Sequence, residues 1–144
     1  MPRLLSALLC SLALLVGACR HAVTEDPEPA GPLEGTWRVG LTDPVTYDVQ
    51  GKVLGTYTPV ADLMDYTQLR FTATELEEYS TRTNARNTIH YVRTGDELTC
   101  PAPSRSYTIR KLTARHLDLY LRGEYFQTGT FSSRTDFTIH LDRQ

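Results

Sequence analysis

The chain has 144 residues, which suits one domain with its own core, and 15 basic against 17 acidic residues give a net charge of −2. The basic residues are scattered along the chain, whereas a nucleic-acid-binding protein concentrates them on one face. These features argue against a nucleic-acid partner.

Residues 1–18 have the layout of a secretory signal. Met1-Pro2-Arg3 carries positive charge, and residues 4–18 are small or apolar and uncharged. As a helix this run of about fifteen residues would reach roughly 22 Å, short of the hydrocarbon core of about 30 Å. We therefore expect residues 1–18 to be removed rather than to remain as a transmembrane helix.

The end of this segment, Val16-Gly17-Ala18-Cys19, resembles the lipobox of bacterial lipoproteins. The resemblance implies cleavage before Cys19 and attachment of acyl chains such as palmitate to that cysteine, which together make a stable membrane anchor. The alternative is an ordinary secreted protein that is cut after Ala18. We expect a lipid-anchored protein of the bacterial cell envelope, with the outer membrane favoured over the inner membrane.

The cysteines fit this expectation. Cys10 leaves with the signal and Cys19 is acylated, so Cys100 alone remains and cannot form an intramolecular disulfide. Cys100 is interpreted as an apolar strand residue rather than a nucleophile, because no histidine lies near it in sequence. The remaining 126 residues hold 14 basic and 17 acidic residues, a net charge of −3.

Residues 19–33 are predicted to be the lipidated cysteine and a tether. The stretch RHAVTEDPEPAGPL holds three prolines and three acidic residues. Proline disfavours helix and sheet, so these fourteen residues can extend over roughly 40 Å. The acidic residues could alternatively act as a surface-export signal.

From residue 34 to 144 the dominant period of apolar residues is two. Stretches such as GTWRVGL, TQLRFT, SYTIRKL, RHLDLYLRG and TDFTIHLDR show it. Turn signals such as Asp43-Pro44 and Gly95-Asp96 lie between them. This pattern predicts an all-β domain over 34–144, an antiparallel sandwich or barrel of about eight to ten strands.

One stretch, TELEEYSTR, breaks the alternation. Leu76 and Tyr79 cannot share a face of a regular strand. A β-bulge or an inward-facing glutamate is therefore expected there.

The stretch LEGTWRV resembles the Gly-x-Trp opening of lipocalin-like domains, with Gly35 and Trp37 at the motif positions. LRFTATELEEYS and YTIRKLTARHLDLYL resemble a strand–turn–strand block and a late hairpin of small bacterial lipocalin-like lipoproteins. The resemblance covers roughly residues 33–141. It implies an antiparallel up-and-down β-barrel closed at one end by Trp37, here without the C-terminal helix of standard lipocalins.

The resemblance also implies an arginine packed over Trp37. Arg122, Arg134 and Arg143 are the candidates, and the sequence does not choose among them.

Side chains that face into such a barrel can line a cavity for a small hydrophobic or amphipathic molecule, or fill the barrel; the sequence leaves both open. The cavity candidates are Trp37, Val39, Leu41, Leu69, Phe71, Ile89, Tyr91, Tyr107, Ile109, Leu119 and Phe137.

We expect no enzymatic activity, no cofactor and no metal. The histidines His90, His116 and His140 lie on polar strand faces at spacings that match no compact ligand motif. The acidic run at residues 75–78 is interpreted as a solvated strand rather than a glycosidase pair. The leading hypothesis is a monomeric lipoprotein that binds a small molecule; the alternative is an envelope protein-interaction or structural module with a filled barrel.

The localisation is tested by Cys19→Ala, which removes the atom that would be acylated. We expect the variant to leave the membrane fraction and to appear in the soluble fraction, because the remaining tether is polar. Cell fractionation followed by immunoblotting measures this. Continued membrane association of the variant would contradict the anchor.

Overall fold

The computed structural model describes residues 28–61, 63–101 and 105–144. Within them there are twelve β-strands and no helix, so this part of the chain contains no helix able to cross a membrane. The predicted signal (1–18) and Cys19 lie outside the described residues. The strands are β1 (Gly35–Asp48), β2 (Val53–Thr56), β3 (Val60–Ala61), β4 (Gln68–Phe71), β5 (Glu75–Ser80), β6 (Ala85–His90), β7 (Val92–Thr94), β8 (Glu97–Cys100), β9 (Arg105–Leu112), β10 (His116–Leu121), β11 (Tyr125–Thr128) and β12 (Phe131–Arg143).

Nine of these strands form an antiparallel, nearly closed barrel in the order β6-β5-β4-β1-β12-β10-β9-β8-β7. The predicted up-and-down barrel is confirmed, and its nine strands fall within the predicted number. The strands at the two ends of the path, β6 and β7, follow one another in the chain and are separated only by Tyr91. One continuous segment therefore pairs first with β5 and then with β8, which brings the two ends of the sheet together.

Trp37 closes one end of the barrel, and we call this the closed end. Its side chain is fully buried, and its indole Nε1 donates a hydrogen bond to the Leu33 carbonyl at 2.8 Å. The Arg143 guanidinium lies 4.1 Å from the ring centroid. The expected arginine over the tryptophan is therefore confirmed, and among the three candidates it is Arg143.

Arg143 also ties three chain segments together. Its Nε donates to the Ala114 carbonyl at 2.8 Å and its Nη1 to the Glu34 carbonyl at 2.9 Å, while Nη2 bonds the Pro32 carbonyl. One planar group thus joins the end of β12, the β9–β10 turn and the segment before β1.

The last residues of the predicted tether pack against this closed end. Leu33 is fully buried in the core, and the Pro29 carbonyl accepts a hydrogen bond from the Ala114 amide at 2.9 Å. The amino end of the described chain therefore enters the fold beside Trp37.

The prediction that Leu41 faces inward is wrong. Val39 pairs with Leu141 and Thr42 with Ile139, so two residues of β1 lie opposite one residue of β12. This β-bulge shifts the inward positions from odd to even numbers. Thr42 is consequently buried, while Leu41 is 49% exposed.

Beyond the bulge, β1 and β12 continue past the barrel and are flanked by β2, β3 and β11. We call these three strands, with the ends of β1 and β12 that they flank, the extension. Of the eleven large apolar side chains that are exposed in the described part of the chain, ten lie in or beside it. They are Leu41, Val49, Val53, Leu54, Tyr57, Val60, Leu63, Tyr125, Phe126 and Phe131.

The role of Arg143 is tested by Arg143→Lys, which keeps the charge but removes the planar fork. We expect the free energy of unfolding to fall by about 1–3 kcal/mol, because the stacking and two or more hydrogen bonds to carbonyls are lost. Urea unfolding measures it. The control is Arg38→Lys at an exposed ion pair with Asp142, expected to change stability by less than about 0.5 kcal/mol. Equal effects of the two substitutions would contradict the assignment.

Candidate functional site at the open end of the barrel

The structure places ten of the eleven cavity candidates inside the barrel; Leu41 is the exception. Eight are buried, and Val39 and Phe137 pack against them as partly buried residues. Phe71 and Tyr91, for example, meet edge to face with ring centroids 5.9 Å apart. These side chains fill the barrel around Trp37 and contact one another, so their role in ligand binding stays a prediction.

A cavity of about 330 Å³ lies instead at the other end of the barrel, which we call the mouth. It lies between Tyr66, which precedes β4, and the inner face of the β5–β6 hairpin. Its lining includes Asp65, Tyr66, Glu78, Ser80, Arg82, Ala85, Arg86 and Asn87.

Strand register explains why polar groups point into the mouth. Along β5 the residues Leu76, Glu78 and Ser80 are buried, as alternation requires. The pairing of β5 with β6 places Asn87 opposite Glu78 and Ala85 opposite Ser80 on the same face. The expected inward glutamate is therefore confirmed as Glu78, and the strand needs no bulge.

Glu78 forms a buried ion pair across the barrel. It is 9% exposed; Oε1 pairs with Nη2 of Arg105 on β9, and Oε2 accepts from Asn87 Nδ2 at 3.1 Å. Among the described strands, β6 pairs with β5 only and β9 with β8 and β10 only. Between the β5–β6 hairpin and β9 the sheet therefore lacks backbone hydrogen bonds, and we call this gap the seam. The ion pair connects its two sides.

Three buried donors beside this ion pair have no partner within the described structure. They are the hydroxyls of Tyr66 and Tyr107 and the Nε of Arg105. The Arg105 guanidinium lies 5.5 Å from the Tyr107 ring centroid, and the Tyr66 hydroxyl lies beside that of Tyr107, so the three belong to one cluster. Because an unsatisfied buried donor costs about 1–3 kcal/mol, such a cluster calls for an acceptor supplied by water or by a ligand.

Both tyrosines keep their protons at neutral pH. Burial raises the pKa of Tyr66 to about 12, and burial also raises the pKa of Tyr107. The Tyr107 hydroxyl lies close enough to act as a weak donor to Tyr66, which lowers the pKa of Tyr66 and raises that of Tyr107, but the contact falls short of full hydrogen-bond geometry. The Tyr66 proton, and the Tyr107 proton once that weak contact is given up, are therefore available to a ligand.

The charges around the mouth are balanced. Arg82 pairs with Asp65 at 3.1 Å, Arg86 pairs with Glu77 at 3.0 Å, and Arg105 pairs with Glu78. The mouth therefore presents donors without presenting an excess of either charge.

The histidines lie on the outer face of the barrel, as predicted, and away from the mouth. His140 Nδ1 meets Asp118 at 2.8 Å and its Nε2 meets Asp43 at 3.0 Å. Burial alone would lower the pKa of His140, but these two hydrogen bonds outweigh burial and raise it. Both ring nitrogens are hydrogen-bonded, and no group of histidine, cysteine or acidic side chains in the described part of the chain is arranged to hold a metal ion.

Sequence reasoning missed most of the mouth. Tyr66 lies outside the alternating stretches, and no pattern marked Arg105 or Asn87 as site residues. The one available signal was the broken alternation in TELEEYSTR, which predicted either a bulge or an inward glutamate.

Comparison with known proteins finds no matching family model, no matching curated protein and no matching solved structure. The architecture itself, an antiparallel and nearly closed barrel, is compatible with a lipocalin-like fold.

The ion pair at the mouth is tested with two neighbouring substitutions, Glu78→Gln and Glu77→Gln. Glu78→Gln leaves Arg105 charged and largely buried, so we expect the free energy of unfolding to fall by about 1–3 kcal/mol. Glu77 faces outward, and its exposed pair should contribute less than about 0.5 kcal/mol. Urea unfolding of both variants measures the difference, and equal losses would refute a special role for Glu78.

Proposed function

We propose that this chain is a non-catalytic binding barrel that holds one small amphipathic molecule at its mouth. The observation that carries the proposal is the mouth cavity of about 330 Å³ beside three buried donors without partners. That volume falls within the range of small-ligand sites, roughly 300–1,000 Å³, which combine apolar walls with a few placed polar groups.

We propose further that the barrel is a lipocalin-like lipoprotein of the bacterial cell envelope, anchored through Cys19. The orientation of the fold supports an anchor at one end of the barrel and a binding site at the other. The chain enters beside Trp37, since Leu33 is buried there and Pro29 bonds Ala114, while the mouth lies at the opposite end. An anchor on Cys19 would hold the closed end toward the membrane and leave the mouth open to the aqueous space.

The acidic run supports a binding role over hydrolysis. Hydrolysis by paired carboxylates needs two free carboxyl groups that face one substrate. Glu78 faces inward and is bound by Arg105 and Asn87, whereas Glu75 and Glu77 share the outer face of β5. On that face Glu77 is already paired with Arg86 at 3.0 Å, so the run offers no two free carboxyl groups that face one substrate.

A second candidate function is a protein-interaction module. The concentration of exposed apolar side chains on the extension favours it, because monomeric domains rarely expose large contiguous apolar patches. The partner would be a protein that offers a complementary apolar surface to Phe126 and Phe131.

The binding function is tested with Ala85→Trp, which places a large ring in the mouth. Titration of the purified full chain with a solvent-sensitive hydrophobic dye should saturate, and Ala85→Trp should weaken dye binding at least about tenfold by occupying the cavity. The control is Thr99→Trp on the outer face of β8, expected to bind as the wild type does.

Two outcomes would contradict the proposal. One is the absence of saturable binding to the wild type, and the other is equal binding by both tryptophan variants. The protein-interaction function would be favoured by a different pair of results. In that case the wild type binds no dye but sediments as a complex with a partner protein, and Phe126→Ser disrupts this complex.

A further inference from the structure

We infer that the mouth selects an uncharged ligand that presents a hydrogen-bond acceptor oxygen, such as an amide or ester carbonyl, over a carboxylate or an ammonium group. This inference rests on the proposed function and specifies the chemistry of its ligand.

The need for an acceptor follows from the three unpartnered groups. Arg105 Nε can only donate, and neither the Tyr66 nor the Tyr107 hydroxyl has a partner at full hydrogen-bond geometry within the described residues. Tyr66 is 9% exposed and Tyr107 is fully buried, so bulk water does not solvate them. A ligand that brings a carbonyl oxygen into this cluster satisfies donors that the protein leaves unsatisfied.

The absence of net ligand charge follows from the ion pairs. The guanidinium groups of Arg82, Arg86 and Arg105 each have a carboxylate partner. A carboxylate ligand would have to displace Glu78 from Arg105 and leave one anion without a partner in a buried place. An ammonium group has only N–H donors: it could donate to the tyrosine oxygens, but it would leave Arg105 Nε and the hydroxyl protons without an acceptor, and it would lie beside the Arg105 guanidinium.

The depth of the groups sets the orientation of the ligand. The cavity lining includes Tyr66 and Glu78 but not Tyr107 or Arg105, which contact those two residues from the side away from solvent: Arg105 pairs with Glu78, and the Tyr107 hydroxyl lies beside that of Tyr66. The oxygen therefore enters first, and the apolar part of the ligand stays beside Ala85 and the β5–β6 hairpin.

The inference is tested with three probes that share one chain length: octanamide, octanoate and octylammonium. They are titrated into the purified full chain at pH 7, and the backbone amide shifts of Ser80, Ala85 and Asn87 are followed by NMR. We expect octanamide to bind at least about tenfold more tightly than either charged probe, a difference of about 1.4 kcal/mol.

The substitution Tyr107→Phe tests whether the Tyr107 hydroxyl binds the ligand or instead stabilises the fold. Because the hydroxyl has no partner, its removal should raise the urea midpoint of the ligand-free chain and weaken octanamide binding about three- to tenfold. The matched control is Tyr79→Phe, whose hydroxyl faces outward and donates to Asn84 Oδ1 at 3.2 Å. That control should leave octanamide binding unchanged.

Each outcome bears on a different claim. Equal binding of the three probes, or tighter binding of octanoate, overturns the inference while leaving the binding function intact. A lowered urea midpoint for Tyr107→Phe overturns it as well, since the hydroxyl is then held by an internal partner such as a bound water. Failure of every probe to shift the amides contradicts the proposed function itself.

Discussion

The stacking of Arg143 on Trp37 is the contact on which the rest of the structure depends. It joins the first and last strands of the chain and, through bonds to Ala114 and Glu34, fixes the β9–β10 turn and the segment before β1. Because apolar side chains fill this end, the polar groups that the strands also carry inward gather at the other end. The closed end thereby determines where a site can form.

The seam of the barrel explains why that site is polar. The segment from β6 to β7 leaves β5 at Tyr91 and pairs with β8, so toward the mouth β6 has no second backbone partner among the described strands. The ion pair between Glu78 and Arg105 bridges this interval with side chains instead. Opening the barrel at a place held by side chains requires less free energy than opening a wall of strands held by backbone hydrogen bonds.

The mouth also places polar side chains at inward strand positions, which apolar side chains occupy in most of the barrel. A glutamate paired with Arg105 faces the interior of a strand whose other inward residues are Leu76 and Ser80, and within the described residues the buried hydroxyls of Tyr66 and Tyr107 have no partner at full hydrogen-bond geometry. Such departures concentrate at functional sites, where stability is given up for recognition. At the closed end the Trp37 indole has its hydrogen bond to Leu33, and the one buried atom without a partner in the described structure there is Glu28 Oε1.

The sequence by itself determined the period of two, hence an all-β antiparallel sandwich or barrel, most of the inward set around Trp37, and in TELEEYSTR either a bulge or an inward glutamate; the resemblance to lipocalin-like domains favoured the barrel. These features follow from local alternation, which a strand imposes on its own residues. Only the tertiary structure decided which arginine covers Trp37, that Leu41 faces solvent, and that Tyr66, Tyr107 and Arg105 meet. A bulge depends on the register with a partner strand, and the contact of Arg143 with Trp37 joins residues at opposite ends of the barrel sequence. No short stretch encodes such pairings, because they arise only when distant strands close on one another.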